Sequence, residues 1–304
     1  MNTQNANANT SVITRPAPVI KVYPQQQQLT PPQFKRISSF MEKTTGIKLP
    51  ESKRTMIQAR LANRLKVLNF DNYAQYVDYV FSSNETASDE ITMMIDLITT
   101  NLTHFFRENT HFEFLSNSVL PQLAEEGIII PDVWSAGCSS GEEPYTLSIV
   151  IAEYMKKHPG HFTDYRILAT DISTKILSKA VEAVYPMETI ENLPYEIKRR
   201  YFLKSKNPDM SLVKVKPLIR NKVHYERLNF MDSSYRIQPK KDIIFCRNVL
   251  IYFDKPTQLA VIKRLVDCLK PGGFLFLGHS ETIFGSNLPI KTVSTTVFQK
   301  TREK

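Results

Sequence analysis

The sequence predicts an α/β protein in which a mostly parallel, doubly wound sheet follows an all-helical N-terminal domain and carries a small antiparallel insertion. Residues 30–108 have helical patterns with few glycine or proline breaks. In residues 109–304, apolar strand-like runs alternate with amphipathic helical stretches, which is typical of a parallel sheet covered by helices. Between about residues 186 and 228 this alternation stops, and the period-2 pattern of a half-exposed strand appears.

The first 29 residues have the composition of a disordered segment. They are rich in Asn, Gln, Thr and Pro and end in four glutamines before Leu29, so they offer too little apolar surface to form a core. Thr30 before Pro31 and Pro32 is typical of a helix start, because threonine can cap and proline fits the first turn.

The segment 51–68 predicts an amphipathic helix of the N-terminal domain. Four apolar residues recur there with helical spacing: Ile57, Leu61, Leu65 and Leu68. Lys53, Arg60 and Arg64 fall on the flank of this stripe. These three cations form either an ordinary solvated face or a docking surface for an acidic partner.

The α/β region is assigned from its apolar runs in chain order. A helix is expected around residues 109–125. The predicted strands are PDVWSAG, YRILATDIS, DIIFCRNVLIYF and GFLFLGHSE. The helices between them are EEPYTLSIVIAEYMKK, TKILSKAVEAV and PTQLAVIKRLVDCLK, the last capped by Pro-Gly-Gly. The final strand of the insertion, near His224–Leu228, is expected to return to the main sheet.

Composition excludes several classes of protein. The 304 residues are 42% hydrophobic and 23% charged, as in an ordinary soluble globular protein. No window approaches the ~18 apolar residues of a membrane span, and the N-terminus lacks a signal-peptide pattern, so a cytoplasmic location is expected. The three cysteines form no CxxC pair and the six histidines no HxxxH pair, so neither a disulfide framework nor a metal site is expected.

The net charge of +9 is unevenly distributed. Residues 35–66 and residues 195–228 each carry a formal charge of +7, which leaves −5 for the rest of the chain. Two basic segments on a slightly acidic body indicate an acidic macromolecular partner. Nucleic acid, an anionic membrane and an acidic protein all remain open at this point.

The loop GCSSG at residues 137–141 joins a predicted strand to a helix that starts with Glu142 and Glu143. Such a loop commonly binds phosphate at the helix N-terminus, but these carboxylates would repel phosphate, and the loop is not GxGxxG. A ligand with adenosine and a cationic group fits better, and S-adenosylmethionine is such a ligand. Either glutamate is also explained by stabilisation of the helix N-terminus alone.

Ligands of doubly wound sheets bind at the carboxyl ends of the strands. Asp171, Asn229 and Asn248 fall at those ends, together with the glycine loop. An acid at the position of Asp171 commonly accepts ribose hydroxyls. A helix N-cap before Ser173 explains it equally well.

Five segments now carry a family resemblance: NLTHFFRE, WSAGCSSGEEPY, ATDIS, CRNVLIYFD and LKPGGFLFLGHSE. In this order, over about residues 33–300, the chain resembles the CheR-type chemotaxis-receptor methyltransferases of bacteria. The resemblance implies a Rossmann-like S-adenosylmethionine domain behind the helical domain. It also implies methyl transfer to glutamate side chains on the cytoplasmic helical bundle of chemoreceptors, giving glutamyl methyl esters for chemotactic adaptation and S-adenosylhomocysteine as the product.

The resemblance also implies roles for individual residues. Asn101, Thr103 and Arg107 would cover the methionine portion, Glu143 the amino group and Asp171 the ribose hydroxyls, while Asn229, Phe230, Asn248 and Val249 would wall the adenine and ribose. Arg107 and Tyr252 would lie near the transferred methyl. A glutamate is ionised at neutral pH, with a reference pKa of ~4.3, so no general base is needed. Arg107 would then position the carboxylate, and His104 is expected to pack rather than react.

The resemblance implies an acidic receptor bundle as the partner of the basic flank formed by Lys53, Arg60 and Arg64. In some family members the inserted subdomain binds the receptor's C-terminal peptide as an added strand. Those members have a glycine-rich turn where this chain has KSKNPDMS, so the tether stays open. A monomer is expected. The alternatives are a catalytically silent receptor-binding adaptor and a nucleic-acid methyltransferase, although the Asn/Asp-Pro-Pro-Tyr turn of DNA amino-methylases is absent.

Overall fold

A computed structural model describes residues 28–83, 85–207, 209–281, 283 and 287–302. Most of the tail predicted to be disordered, residues 1–27, lies outside the described residues. Its end does not fit that prediction, because Leu29 is 2% exposed and its N–H donates to Gln58 Oε1 at 2.9 Å. Leu29 is apolar and packs into the helical core, so the ordered chain begins before residue 30.

The N-terminal domain is all-helical, as predicted. Its helices are α1 (Pro31–Thr45), α2 (Arg54–Val67), α3 (Tyr73–Val80) and α4 (Glu85–Ile98). Thr30 caps α1 in a reciprocal capping box with Gln33. The stripe predicted in α2 is confirmed, since Ile57, Leu61 and Leu65 are buried in the core of this domain.

A linker of about ten residues leads into a helix that matches the predicted 109–125. It consists of α5 (Asn109–Phe114), a π-helical segment Leu115–Val119 and α6 (Leu120–Glu125). Pro121 is the second residue after the π segment and has no N–H to donate to the preceding turn. The helix covers one face of the sheet through Phe112 and Leu115.

Within the described residues, the main sheet has seven strands in the order β6-β2-β1-β7-β8-β10-β9, numbered along the chain. The strands are β1 (Asp132–Ala136), β2 (Arg166–Asp171), β6 (Val223–Arg227), β7 (Lys241–Cys246), β8 (Leu269–Leu277), β9 (Ile290–Ser294) and β10 (Val297–Lys300). The first five of the spatial order pair in parallel, which confirms the predicted doubly wound sheet. The return of the chain to this sheet near residue 224 is also confirmed, because β6 pairs with β2. The antiparallel edge formed by β9 and β10 was not predicted.

The helices around the sheet are α7 (Glu142–Lys157), α8 (Thr174–Glu182), α9 (Tyr195–Tyr201), α10 (Pro217–Arg220) and α11 (Lys255–Cys268). The described part of the insertion forms a three-stranded antiparallel sheet in the order β3-β5-β4, with β3 (Val184–Pro186), β4 (Phe202–Lys204) and β5 (Leu212–Val215). Among the described residues, no helix is long and apolar enough to cross a bilayer.

Two predicted boundaries are wrong. The strand expected over DIIFCRNVLIYF ends at Cys246, because Asn248 adopts a left-handed φ of +59° and a 3-10 turn, Leu250–Tyr252, follows. Pro-Gly-Gly does not cap α11 but lies inside β8. A Cβ on Gly273 would lie 3.0 Å from the Asp242 carbonyl oxygen, so the close approach of β7 and β8 requires glycine there.

Candidate functional site

A cavity of about 370 Å³ lies where the helical domain and the linker meet the carboxyl ends of β1, β2 and β7. The residues predicted to bind the cofactor or to lie near the methyl group all line it: Asn101, Thr103, Arg107, Glu143, Asp171, Asn229, Phe230, Asn248, Val249 and Tyr252. The structure therefore brings together residues that are up to 151 positions apart in the sequence. Their individual ligand roles stay predictions.

The glycine loop, residues 137–141, turns sharply at the end of β1 and forms the floor of the cavity. Gly137, Ser139 and Gly141 have φ values of +83°, +50° and +97°. The N–H groups of Gly137 and Cys138 both donate to the carbonyl oxygen of Thr170, at 2.8 and 2.9 Å, which fixes the loop to the end of β2.

Asp171 lies between the glycine loop and the start of α8. Its Oδ2 accepts from the Ser139 N–H at 2.9 Å and its Oδ1 from the Ser173 N–H at 3.0 Å. The N-cap of α8 is Ser173, whose Oγ accepts from the Ile176 N–H, so the N-cap explanation for Asp171 is wrong. Burial raises the pKa of Asp171, and the two N–H donors oppose this rise. Each carboxylate oxygen keeps a second lone pair for a ligand hydroxyl.

Glu143 is held by two donors and borders the cavity. Its Oε1 accepts from Ser135 Oγ at 2.7 Å, and its Oε2 accepts from Arg247 Nε at 2.8 Å. Its neighbour Glu142 does not line the cavity but accepts from Ser140 Oγ at 2.6 Å, and burial raises its pKa. The two glutamates therefore differ, and only Glu143 is placed to contact a ligand.

The linker is held by Glu108, which sequence reasoning missed. Glu108 Oε1 accepts from Asn248 Nδ2 at 3.0 Å. Burial acts to raise the pKa of Glu108, but the Asn248 hydrogen bond and the charge of Arg247 outweigh it and lower this pKa. Arg107, one residue earlier, donates from Nη1 to the Leu102 carbonyl oxygen at 2.7 Å. The linker thus presents Arg107 to the cavity from a tightly bonded turn.

The turn after β7 is fixed by Glu281, which was also missed. Its carboxylate accepts from the N–H groups of Asn248, Leu250 and Gly278, at 3.0, 2.7 and 2.6 Å. This contact explains why the predicted strand ends at Cys246. It also sets the positions of Asn248 and Val249 in the cavity wall. The sequence signal is a glutamate in GHSE directly after the buried strand β8.

The amide of Asn229 joins the two domains beside the cavity. Its Nδ2 donates to the Thr44 carbonyl oxygen at 2.7 Å, and its Oδ1 accepts from the Met231 N–H at 3.0 Å. On the same side, the Lys48 N–H donates to the Tyr252 carbonyl oxygen at 3.0 Å. Tyr252 and Asn229 are therefore anchored by the helical domain.

The three cations predicted for docking do not share one surface role. Lys53 is exposed and lines the cavity. Arg60 donates to the carbonyl oxygens of Ile98 and Thr99. Arg64 forms a two-pronged ion pair with Glu90, whose side chain is 3% exposed. These two arginines hold α2 against α4, so a docking role stays a prediction that exposure supports for Lys53 alone.

The structure bears on two predictions that involve histidines, the packing of His104 and the expectation of no metal site. His104 does not pack in a core but is exposed, with Nδ1 3.1 Å from the Phe105 carbonyl oxygen. Ligand atoms of Glu108, His111 and His279 lie within 4.8 Å of one another, as in a cation site. The Arg247 guanidinium already lies 3.2 Å from His111 Nδ1, so this cluster already has its positive charge. Among the described residues, no histidine lines the cavity.

The groups that line the cavity fit S-adenosylmethionine. The carboxylates of Glu143 and Asp171 suit an ammonium group and ribose hydroxyls, while Phe230 and Val249 offer apolar walls for a base. A phosphate ligand that lacks a cationic group would be repelled by these carboxylates. The chemistry of the groups that line the cavity thus agrees with the cofactor that the loop composition predicts.

Comparison with known proteins gives a consistent assignment. Residues 32–99 match the model of the CheR methyltransferase all-alpha domain, and residues 101–299 match that of the CheR methyltransferase S-adenosylmethionine-binding domain. The chain is 39% identical to a chemotaxis protein methyltransferase of Borreliella burgdorferi, over 85% of this chain and 90% of the relative. It is 38% identical to one of Escherichia coli, over 82% and 83%. It is 35% identical to chemotaxis protein methyltransferase 2 of Pseudomonas aeruginosa, over 90% and 95%. These matches confirm the predicted cofactor, and the chain belongs to the CheR family of S-adenosylmethionine-binding methyltransferases.

Proposed function

We propose that this protein transfers a methyl group to glutamate side chains of bacterial chemoreceptors and so forms glutamyl methyl esters for chemotactic adaptation. The observation that carries the proposal is the cavity at the domain junction. It is lined by Arg107 and Tyr252 and also by Glu143 and Asp171, the carboxylates expected to bind the cofactor. The names of the relatives support a chemoreceptor substrate.

Bound S-adenosylmethionine supplies an electrophilic methyl group on a sulfonium. A glutamate carboxylate is ionised at neutral pH and needs no base to attack it. The cavity suits such a nucleophile, because the described lining residues include no histidine but do include an arginine and a tyrosine hydroxyl. Arg107 would hold one carboxylate oxygen and Tyr252 would orient the carboxylate toward the methyl group.

Water must be kept out of this reaction, because it stabilises the separated charges of carboxylate and sulfonium more than the neutralising transition state. The helical domain contributes Thr45, Ile47 and Leu49 to the cavity lining, and the linker contributes Leu102. We infer that the domain junction, rather than a moving acid or base, provides the rate enhancement through exclusion of water and in-line positioning.

The helical domain also suits an acidic helical partner. Residues 35–66 carry a formal charge of +7, and Lys53 is exposed where this domain borders the cavity. An acidic receptor helix that docks there would bring its glutamate to Arg107. Arg60 and Arg64 would support this surface indirectly, because they hold α2 in place.

The proposal is tested by incubation with a radiolabelled methyl donor and membranes that contain chemoreceptors. We expect label on the receptor that is released as methanol by alkali, as carboxyl methyl esters require. Asp171→Ala, which should lose the cofactor, is the matched inactive variant. Cofactor binding without any transfer would indicate a silent adaptor, alkali-stable label on nucleic acid would indicate the rival methyltransferase class, and either result would overturn the proposal.

A further inference from the structure

Arg247 is a buried cation that sequence analysis did not single out. It directly follows β7, and its side chain is 2% exposed although it borders the cavity. A buried guanidinium is costly unless charged partners and hydrogen bonds satisfy it. The positions of its partners therefore indicate what it does.

Two aromatic rings set the plane of this guanidinium. Phe112 and Phe245 stack at a centroid distance of 5.6 Å, and Arg247 Cζ lies 4.9 Å and 5.4 Å from their centroids. Such cation–π contacts favour one orientation. Because Phe112 belongs to the helix after the linker and Phe245 to the sheet, Arg247 is fixed to both.

Toward the cavity, Arg247 holds Glu143 from behind. Arg247 Nε donates to Glu143 Oε2 at 2.8 Å, and Ser135 Oγ donates to the other carboxylate oxygen at 2.7 Å. One donor on each oxygen leaves the carboxylate a single orientation. The remaining lone pairs are available to a ligand on the cavity side.

Toward the linker, Arg247 holds the residue that borders the methyl site. Arg247 Nη1 donates to the Arg107 carbonyl oxygen at 2.8 Å. The flanking residues Phe106 and Glu108 both have left-handed φ values, +56° and +55°, which cost energy for residues with side chains. The hydrogen bond from Arg247 helps to offset that cost and keeps the Arg107 turn in place.

His111 supports Arg247 from the far side. Its Nδ1 lies 3.2 Å from Arg247 Nη1, and its Nε2 lies 2.9 Å from Thr296 Oγ1. Burial, with the charge of Arg247, lowers the pKa of His111 to about 4. A neutral imidazole can accept from Arg247 at Nδ1 and donate to Thr296 at Nε2.

We propose that Arg247 is a positioning residue that fixes the carboxylate of Glu143 for the amino group of the cofactor and ties the Arg107 turn to the same point. One guanidinium would thus fix the relative positions of the two groups, Glu143 and Arg107, that are proposed to contact the methionine portion. This inference rests on the role proposed above for Glu143. Arginine suits the task better than lysine, because its fork donates in two directions at once.

The test compares the binding of two ligands to the full chain by calorimetry. S-adenosylhomocysteine carries the amino acid end, whereas 5′-methylthioadenosine lacks it. In Arg247→Lys the single nitrogen cannot reach both Glu143 and the Arg107 carbonyl. We expect the affinity for S-adenosylhomocysteine to fall at least about tenfold, while the affinity for 5′-methylthioadenosine changes less than about threefold. An equal loss for both ligands, or no loss, would overturn the proposal.

The matched control is Arg200→Lys. Arg200 pairs with Glu153 on the same helix as Glu143, and its Cζ lies 6.0 Å from the Tyr201 ring centroid. It does not line the cavity, so both affinities should stay unchanged. If Arg247→Lys does not fold, His111→Leu removes the acceptor behind the guanidinium without a change of charge at neutral pH. It should weaken S-adenosylhomocysteine alone, and unchanged binding there would also contradict the proposal.

A third variant separates this inference from the proposed function. Glu143→Gln should show the same selective loss of S-adenosylhomocysteine. If it does and Arg247→Lys does not, the inference about Arg247 fails while the role of Glu143 stands. If Glu143→Gln has no effect, the role of Glu143 itself fails. Neither measurement involves a receptor, so the identity of the methylated substrate does not affect the outcome.

Discussion

A Cβ atom on Gly137 would lie 2.4 Å from Cγ2 of Val249, so the loop after β1 and the turn after β7 touch at the floor of the cavity. Gly137 also has a left-handed φ of +83°. Two independent constraints, backbone conformation and contact, therefore require glycine at this position. The contact joins two of the segments that are predicted to wall the cofactor.

We expect Gly137→Ala to lower cofactor affinity at least about tenfold, because Val249, which lines the cavity, must shift to admit the methyl group, and to cost about 1–2 kcal/mol of stability from backbone strain alone. Calorimetry with S-adenosylhomocysteine and urea unfolding measure the two effects. Gly127→Ala is the control, since Gly127 has a φ of +76° but no atom within 4 Å of its Cβ position. It should lose stability only. Equal cofactor affinity in both variants would contradict this account of the cavity floor.

The buried histidine predicts a pH dependence of stability. The pKa of His111 is lowered from 6.5 to about 4 in the folded protein, so between these values the unfolded chain binds more protons than the folded chain. The contribution of His111 to the free energy of unfolding should therefore fall as the pH drops from 6.5 toward 4, by up to about 3 kcal/mol. The raised pKa values of the buried carboxyls Asp171 and Glu142 act in the opposite direction, so the His111 contribution is measured as a difference between variants. The lowered pKa of Glu108 extends the loss to still lower pH.

Urea unfolding at several pH values between 4 and 7 checks this prediction. His111→Asn should flatten the dependence, and His104→Asn, which removes an exposed imidazole, is the matched control. If the two variants gave the same slope as the unaltered protein, His111 would not be the group responsible.

The ion pair between Arg64 and Glu90 predicts a structural rather than a docking effect. Tyr76 Oη also donates to Glu90 Oε1 at 3.0 Å, and the Glu90 side chain is only 3% exposed. Arg64→Ala leaves this carboxylate buried without its cation, which should cost about 3 kcal/mol. Arg36→Ala removes the exposed pair with Asp78 and should cost less than about 1 kcal/mol. Equal stability of the two variants, with methylation lost only in Arg64→Ala, would instead support docking by Arg64.

Lys53 carries the remaining docking prediction. Lys53→Glu should lower the rate of receptor methylation several-fold at low salt, with a smaller effect at high salt, because charge steering is screened by ions. Lys66→Glu is a matched reversal of an exposed lysine at the other end of α2 and should have less effect. S-adenosylhomocysteine affinity is measured in both variants, since Lys53 borders the cavity. Identical receptor kinetics in the two variants would remove the docking role of Lys53.

The architecture was largely predictable because its signals are local. Alternating apolar runs and helical stripes fix the parallel strands, and the period-2 pattern fixes the insertion. The boundaries that failed depend on distant partners: the end of β7 depends on Glu281, and the placement of Pro-Gly-Gly depends on the approach of β8 to β7. Neither contact can be inferred from the residues next to the boundary that it sets.

The same distinction applies to the site. Asp171 and Glu143 could be selected because they follow strand ends and a glycine turn. Arg247 and Glu108 could not, because their importance comes from one another and from His111, which are up to 139 positions apart. For Arg60 and Arg64 the helical spacing was right, but the sequence does not show that α4 lies against them.

The central claim is tested most directly by mass spectrometry of receptor peptides after incubation with S-adenosylmethionine. We expect one or more glutamates of the receptor's cytoplasmic helices to carry an alkali-labile methyl ester, and we expect none with Asp171→Ala. Receptor peptides that stay unmethylated while calorimetry shows cofactor binding, or methyl groups on other side chains that resist alkali, would contradict it.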